Sequence, residues 1–246
     1  MLEDDFNDVL TKAVRGTGFD VSSLGLNAKK LQLCLNGTFD EEVISTLAPA
    51  LGLDTSKLLL LPQYETHITL PIGVKKFISP FGHLGVNSYV VEEDEHILIF
   101  DTGTDAHNCI CHLAMHQDKE KYLFITHPHP DHIGCEQTLR SHVTNCAELK
   151  PNISKKFGKL TLKTIDVAGH HPEAMAYFIE GLETPICIIG DAIFAGSVGG
   201  VAPSLYKKAL SNIKENILSL PPETLLLSGH GPSTSIELEI QNNPFF

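Results

Sequence analysis

Apolar residues recur at three- and four-residue spacing through the first quarter of the chain. Phe6, Val9, Leu10, Ala13 and Val14 fall on one helical face. A second run, residues 29–35, stops at Gly37. A third opens on Asp40-Glu41-Glu42, carries Val43, Ile44, Leu47 and Leu51, and ends at Gly52. Acidic residues suit the first turn of a helix, and glycine suits the residue just past its end. The pattern predicts a small helical unit over residues 1–65 and a main domain over residues 66–246.

Residues 62–71 read as a connector. Beyond it the period changes: short apolar runs alternate with helical stretches. Strands are predicted at residues 74–79, 87–92, 96–101, 121–126, 160–165, 176–180, 185–190 and 224–228. Helices are predicted at 106–117, 133–141 and 205–218. Strands with helices between them predict a layered α/β domain.

Composition narrows the function classes. Lys and Arg total 18 against 30 Asp and Glu, for a net charge of −12. That balance makes nucleic acid an unfavoured partner, because phosphate binding wants a basic face. No apolar stretch approaches membrane-spanning length, so no membrane partner is expected. The start, Met1-Leu2-Glu3-Asp4-Asp5, is acidic and unlike a secretory signal. The six cysteines are scattered without a Cys-x-x-Cys pair and read as reduced thiols. Together these features predict a cytoplasmic protein acting on a small molecule, with self-association left open.

The strongest chemical signal is Thr126-His127-Pro128-His129-Pro130-Asp131-His132, directly after the apolar run Tyr122-Leu123-Phe124-Ile125. His127 and His129, two apart in an extended segment, point to one side. Asp131 and His132 follow where the backbone turns into a helix and can face a second ion. Three histidines and an aspartate within six residues suit a borderline metal such as zinc. More donors follow later strands: Gly169-His170-His171, Gly190-Asp191 and Gly229-His230-Gly231. Each stands beside a glycine, where the chain can turn sharply.

These motifs resemble the metallo-β-lactamase superfamily and, within it, the hydroxyacylglutathione hydrolase (glyoxalase II) branch. The resemblance covers residues 74–246. It includes Phe100-Asp101-Thr102-Gly103, the run from Thr126 to His132, Gly169-His170, the run from Gly190 to Ser197, and Gly229-His230-Gly231-Pro232-Ser233-Thr234. It implies a four-layer αββα sandwich with the site at one edge of two facing sheets. It implies two divalent ions, zinc foremost, with iron or manganese as alternatives. His127, His129 and His170 are implied at one ion, Asp131, His132 and His230 at the other, and Asp191 between them. His170 is preferred to His171 because it directly follows Gly169. His171 is then expected beside the site, and Asp101 is implied to brace the metal loop. The implied chemistry is attack of metal-activated hydroxide on a thioester- or ester-like carbonyl, with Asp131 also a candidate for proton handling.

Two departures bear on the substrate. Only 16 residues follow His230, where glyoxalase II enzymes usually carry a helical domain that helps bind glutathione. The segment Ser197-Val198-Gly199-Gly200 lacks the arginine often found there in the family. Tyr206 and Lys207 are candidate contacts for an anionic substrate. Two alternatives to the hydrolase stand beside it. One is a mononuclear iron persulfide dioxygenase, whose family shares much of this motif set. The other is a non-catalytic regulator, because the apolar spacing of residues 27–60 loosely resembles a repressor-type helix-turn-helix.

Overall fold

In a computed structural model, residues 1–146 and 150–246 are described. Four helices come first: α1 (Phe6–Thr17), α2 (Ala28–Leu35), α3 (Glu41–Ala50) and α4 (Thr55–Leu60). Asn27, Asp40 and Asp54 cap α2, α3 and α4 by accepting backbone N–H groups that have no partner within the helix. Gly18 ends α1 in the left-handed conformation, at φ 65°.

The first sheet contains β1 (Val74–Ser79), β2 (Val86–Glu92), β3 (His96–Phe100), β4 (Glu120–Phe124) and β5 (Asn145–Cys146), in that order. Its first three strands are antiparallel neighbours, and β4 runs parallel to both β3 and β5. Between them lie α5 (His107–Ala114), α6 (Pro130–Ile133) and α7 (Glu136–Arg140). The second sheet is built from β6 (Ser154–Phe157), β7 (Leu160–Asp166), β8 (Met175–Glu180) and β9 (Ile186–Gly190). A small hairpin follows, β10 (Ile193–Phe194) with β11 (Ser197–Val198), then helix α8 (Tyr206–Asn212) with a π-helical continuation, Ile213–Ile217. Strands β12 (Leu225–Ser228) and β13 (Thr234–Ser235) complete the second sheet in the order β13-β12-β9-β8-β7-β6, and α9 (Ile236–Asn242) follows.

Alternation along the strands sorts the side chains into layers. Tyr89, Val91, Leu98, Phe100 and Phe124 of the first sheet meet Leu160, Leu162, Tyr177, Ile179, Ile188 and Leu227 of the second. The opposite face of the first sheet sends Val90, Ile97, Ile99 and Leu123 towards Cys109 and Leu113 of α5 and Leu139 of α7. The opposite face of the second sheet sends Ala176, Phe178, Cys187, Ile189 and Leu226 into a third cluster. Period-two patterning with both faces buried therefore gives an α/β fold of helix, sheet, sheet and helix layers.

The third cluster also contains Val9, Leu10 and Ala13 of α1, Val43, Ile44 and Leu47 of α3, and Leu58 of α4. The N-terminal helices thus join the outer layer of the second sheet together with α8. Their join is close: a Cβ at Gly16 would collide with the ring of Tyr206.

Boundaries differ from the sequence expectations in instructive places. The single helix predicted over residues 133–141 is two short ones, α6 and α7, with Gly134 and Cys135 between them. Helix α9 has no clear helical period, since Ile236, Leu238 and Ile240 alternate as in a strand. Ser235 starts it by accepting the Leu238 N–H at 3.2 Å. The edge strand β6, Ser-Lys-Lys-Phe, lacks an apolar face and so leaves no trace in the hydrophobic pattern. Among the described residues no helix is long and apolar enough to cross a membrane.

Candidate metal centre

Strand ends converge on one point. Residues just beyond β3, β4, β9 and β12 supply Asp101, the run from Thr126 to His132, Asp191 and His230. The loop between β7 and β8 supplies His170 and His171. Rigid, fully paired strands up to the last residue fix where these side chains start.

The two sheets are stitched together at this end. Asn87 donates its backbone N–H to Gly229 O at 2.7 Å and its side chain to Ser228 O at 2.9 Å. Tyr89 Oη donates to Ser228 O at 2.8 Å, and Tyr177 Oη to Ile125 O at 2.6 Å. Met175 N–H donates to Thr126 O at 2.9 Å.

Three donor groups overlap here: His127 with His129 and His170, Asp131 with His132 and His230, and His127 with His132 and Asp191. Within each, the ligand-type atoms lie within 4.8 Å of one another. His170 Nε2 is 2.9 Å from His129 Nδ1, which is 3.0 Å from His127 Nε2. His230 Nε2 is 3.1 Å from Asp131 Oδ2. Asp191 lies between the sets: Oδ1 is 3.3 Å from His132 Nε2, and Oδ2 is 3.6 Å from His170 Nε2 and 3.5 Å from His230 Nε2.

The outer nitrogens are held by the protein. His132 Nδ1 donates to Asp101 Oδ2 at 2.8 Å, His170 Nδ1 to Gly200 O at 2.8 Å, and His230 Nδ1 to Gly85 O at 2.8 Å. Each such bond fixes the ring and leaves Nε2 pointing inward. Asp101 Oδ1 also accepts the Thr126 N–H at 2.7 Å, and Oδ2 accepts the Thr126 hydroxyl at 2.8 Å. Sequence reasoning assigns Thr126 no role of its own, although it immediately precedes the first histidine.

Electrostatics point the same way. Burial, reinforced by neighbouring histidines, pushes His127 down to about 3, and burial also lowers His170. Both rings therefore stay neutral with lone pairs free. Burial opposes charge on His132, yet Asp101 and Asp191 raise it; Asp131 and Asp191 raise His230 in the same way. Asp191 is drawn well below the carboxylate range: its burial disfavours charge, but the attraction of His132 and His230, 3.3 and 3.5 Å away, outweighs it. Three buried carboxylates, Asp101, Asp131 and Asp191, make a site that wants positive charge.

Two further observations test whether the site fits a metal. His132 Nε2 and Asp191 Oδ1 are buried without a hydrogen-bond partner, and such groups are costly unless something else satisfies them. Glycine is also required beside them: a Cβ at Gly229 would collide with Asp191 Oδ1 and His132 Cε1. The donors are imidazole and carboxylate, the set that suits zinc and iron.

The other candidate residues lie outside these donor groups. His171 stands beside the cluster, its ring centroid 5.3 Å from that of His129. Tyr206 is buried and its ring packs on Gly16 of α1, while Lys207 is exposed. A cavity of about 360 Å³ touches His127 but continues along Leu123, Ile125 and Arg140, away from Asp131 and His230. Beside His230 stand Phe81, which is exposed, and Phe194, which is buried, with ring centroids 5.8 and 6.1 Å from the imidazole.

Residues 81–165 match the family model for the metallo-beta-lactamase superfamily. The chain carries a metallo-β-lactamase superfamily domain. At that coarse level it is a metallo-hydrolase, of a superfamily that binds divalent metals. It is 27% identical over 201 residues to a probable metallo-hydrolase, YqgX, of Bacillus subtilis, covering 68% of this chain and 94% of that one. It is 31% identical over 126 residues to a hydroxyacylglutathione hydrolase of Prochlorococcus marinus, over 45% of this chain and only 50% of that protein's length. Among solved structures, BLEG-1 B3 metallo-β-lactamase superposes with a TM-score of 0.58 at 27% identity, over 70% of this chain and 98% of that one.

Proposed function

We propose that the chain is a dinuclear metallohydrolase that cleaves a thioester or a related ester-type carbonyl. The observation that carries this reading is Asp191, whose two carboxylate oxygens lie within 3.3–3.6 Å of histidines from both donor sets. His127, His129 and His170 would hold one ion, and Asp131, His132 and His230 the other, with Asp191 shared. Divalent ions of the zinc or iron type, when bound, polarise a carbonyl oxygen and lower the pKa of water.

The chain's own residues do the rest. Asp101 fixes the ring of His132 and so acts as a positioning residue. His129 and His170 are half-buried and form the mouth of the site, whereas Asp131, His132, Asp191 and His230 form its floor. Asp131 stays a carboxylate: burial opposes its charge, but the His230 and His132 rings beside it lower its pKa. A carboxylate at that position can take a proton from an attacking oxygen and return it to a leaving group. Phe81, exposed beside His230, offers apolar contact to the acyl or leaving portion. The hydroxyacylglutathione hydrolases among the relatives, at 24–32% identity, support the thioester class.

The test is elemental mass spectrometry on gently purified protein and on Asp191→Ala, followed by a thioester and lactone screen. About two zinc, iron or manganese ions per chain, falling in the variant, with turnover of a thioester, is the expected result. A single iron per chain with oxygen uptake on a persulfide would replace the proposal with the dioxygenase. No metal under any reconstitution would remove catalysis by this site altogether.

A further inference from the structure

Among the described residues, one further donor group lies away from the metal centre: Glu92, His112 and His116. Glu92 ends β2, His112 is in the last turn of α5, and His116 stands just past that helix. Asn87, near the start of β2, is bonded to Gly229 at the metal centre. Glu92 is five residues further along the same strand, roughly 17 Å away. The two places are therefore distinct.

Spacing brings the two histidines together. Residues four apart along a helix share a face, and the ring centroids of His112 and His116 are 4.9 Å apart. Glu92 reaches both: Oε1 is 2.6 Å from His112 Nε2, and Oε2 is 3.5 Å from His116 Nε2. One ligand-type atom from each residue falls within 4.8 Å of the other two. Tetrahedral zinc, with ligands at about 2.0–2.1 Å, holds its donor atoms roughly 3.3 Å apart, so small side-chain movements close this group on one ion. Donor atoms at the first centre are spaced alike, His170 Nε2 being 2.9 Å from His129 Nδ1 and 3.6 Å from Asp191 Oδ2.

Access suits an ion as well. His112 is buried, whereas the His116 side chain keeps 30% of its surface exposed and leaves one side open to water. Glu92 also lines a cavity of about 390 Å³, whose wall carries Glu93, Asp94 and Glu183 against Lys119 and Lys159. Carboxylates outnumber ammonium groups there, which draws cations in. Two lysines oppose the ion. Lys119 Nζ is 3.7 Å from Glu92 Oε2 and is anchored on Glu93 O at 2.6 Å. Lys75 Nζ is 3.2 Å from His112 Nδ1 and 3.8 Å from Glu92 Oε1. Lys75 is half exposed on the edge strand β1, so it can swing into water.

We propose that Glu92, His112 and His116 form a second divalent-metal site, suited to zinc, which clamps the end of α5 to β2. Two imidazoles and a carboxylate leave a fourth position for water. Lys75 is the competitor that the ion displaces from Glu92. Nothing in this assignment depends on the reaction at the first centre.

The experiment titrates zinc alone into the full-length chain and into His116→Gln and Lys75→Met. Bound zinc is counted by elemental mass spectrometry, and the histidine ring nitrogens are followed by nuclear magnetic resonance. The wild type should hold one zinc more than His116→Gln, a difference that does not depend on how many ions the first centre holds. That ion should bind with a micromolar or tighter dissociation constant and shift the Nε2 signals of His112 and His116 together. His116→Gln should weaken it about tenfold or more, since even the loss of a ligand's outer partner does as much. Lys75→Met should tighten it about 2–5-fold, the effect of removing one exposed charge. Equal zinc counts in the wild type and His116→Gln, with both ring signals unmoved, would overturn the site. Millimolar binding that Lys75→Met leaves unchanged would be casual capture by surface histidines and would overturn it too. If the first centre takes up no zinc while the difference persists, the second site stands and the dinuclear reading falls.

Discussion

Asp101 Oδ2 accepts the His132 Nδ1 proton at 2.8 Å, and the Asp101 backbone is in the left-handed region, at φ 58°, as it makes that bond. Aspartate tolerates this conformation better than most residues, though at some cost in strain. The strained turn is over-determined by three bonds, to His132, the Thr126 N–H and the Thr126 hydroxyl. Asn at this position would keep the backbone tolerance but present an amide N–H to one of these donors. Asp101→Asn should therefore weaken metal binding about 10–100-fold, as is usual when the partner of a ligating histidine is lost. Competition against a chelator of known affinity checks this; unchanged affinity would mean that Asp101 only caps a turn.

Gly229→Ala places a methyl group where Asp191 Oδ1 and His132 Cε1 already stand. Neither neighbour can retreat, since Asp191 is buried and His132 is held by Asp101. The variant should bind less metal and lose turnover while keeping a wild-type far-ultraviolet circular dichroism spectrum. Full metal content in the variant would show that the two donor sets tolerate being spread apart.

The N-terminal helices share one apolar cluster with the second sheet, so their stability should not be separable from it. Leu10, fully buried in that cluster, should cost about 2–5 kcal/mol when cut to alanine. Gly16→Ala forces the Tyr206 ring to move and should cost about 1–3 kcal/mol. In both variants one cooperative transition should shift as a whole. Two separate transitions, with only the earlier one moved, would make the helices an independent unit.

Glu239 gives a pH prediction away from the metal centre. It is fully buried and accepts from Tyr64 Oη at 2.8 Å, the Thr234 hydroxyl at 2.7 Å, the Gly196 N–H at 2.9 Å and Asn243 Nδ2 at 2.8 Å. Burial raises its pKa above the ordinary 4.5, although these donors pull the other way. The folded chain thus holds the proton more tightly than the unfolded chain. That stabilising contribution is complete below pH 4.5 and is lost as pH rises from there through the raised value. Glu239→Gln carries no such dependence. Denaturant titrations across that range should find the wild type losing stability relative to the variant as pH increases. A constant difference would place the two pKa values together.

Much of the site is legible in the sequence, because its donors sit at the ends of apolar runs and next to glycines. His127, His129, Asp131 and His132 are local in sequence, and a strand that ends in a turn gathers them without help from elsewhere. His170, Asp191 and His230 are distant in sequence, yet each closes a predicted strand or follows one. The roles of Thr126 and Asn87 are less legible, since a threonine just past a strand or an asparagine within one carries no signal of its own. Those roles depend on carboxylate and carbonyl partners supplied by other strands.

By itself the sequence determined the strand and helix periods, the layered α/β class and the presence of a histidine–aspartate constellation. These are properties of spacing, and spacing is written locally. Tertiary structure alone decided which sheet the N-terminal helices cover, that Tyr206 serves their packing, and that Glu3 comes to rest beside Gly231. The pair Glu3 and Gly231 is separated by almost the whole chain. No periodicity relates such residues; only the closing of two sheets and the docking of α1 on the second of them bring them into contact.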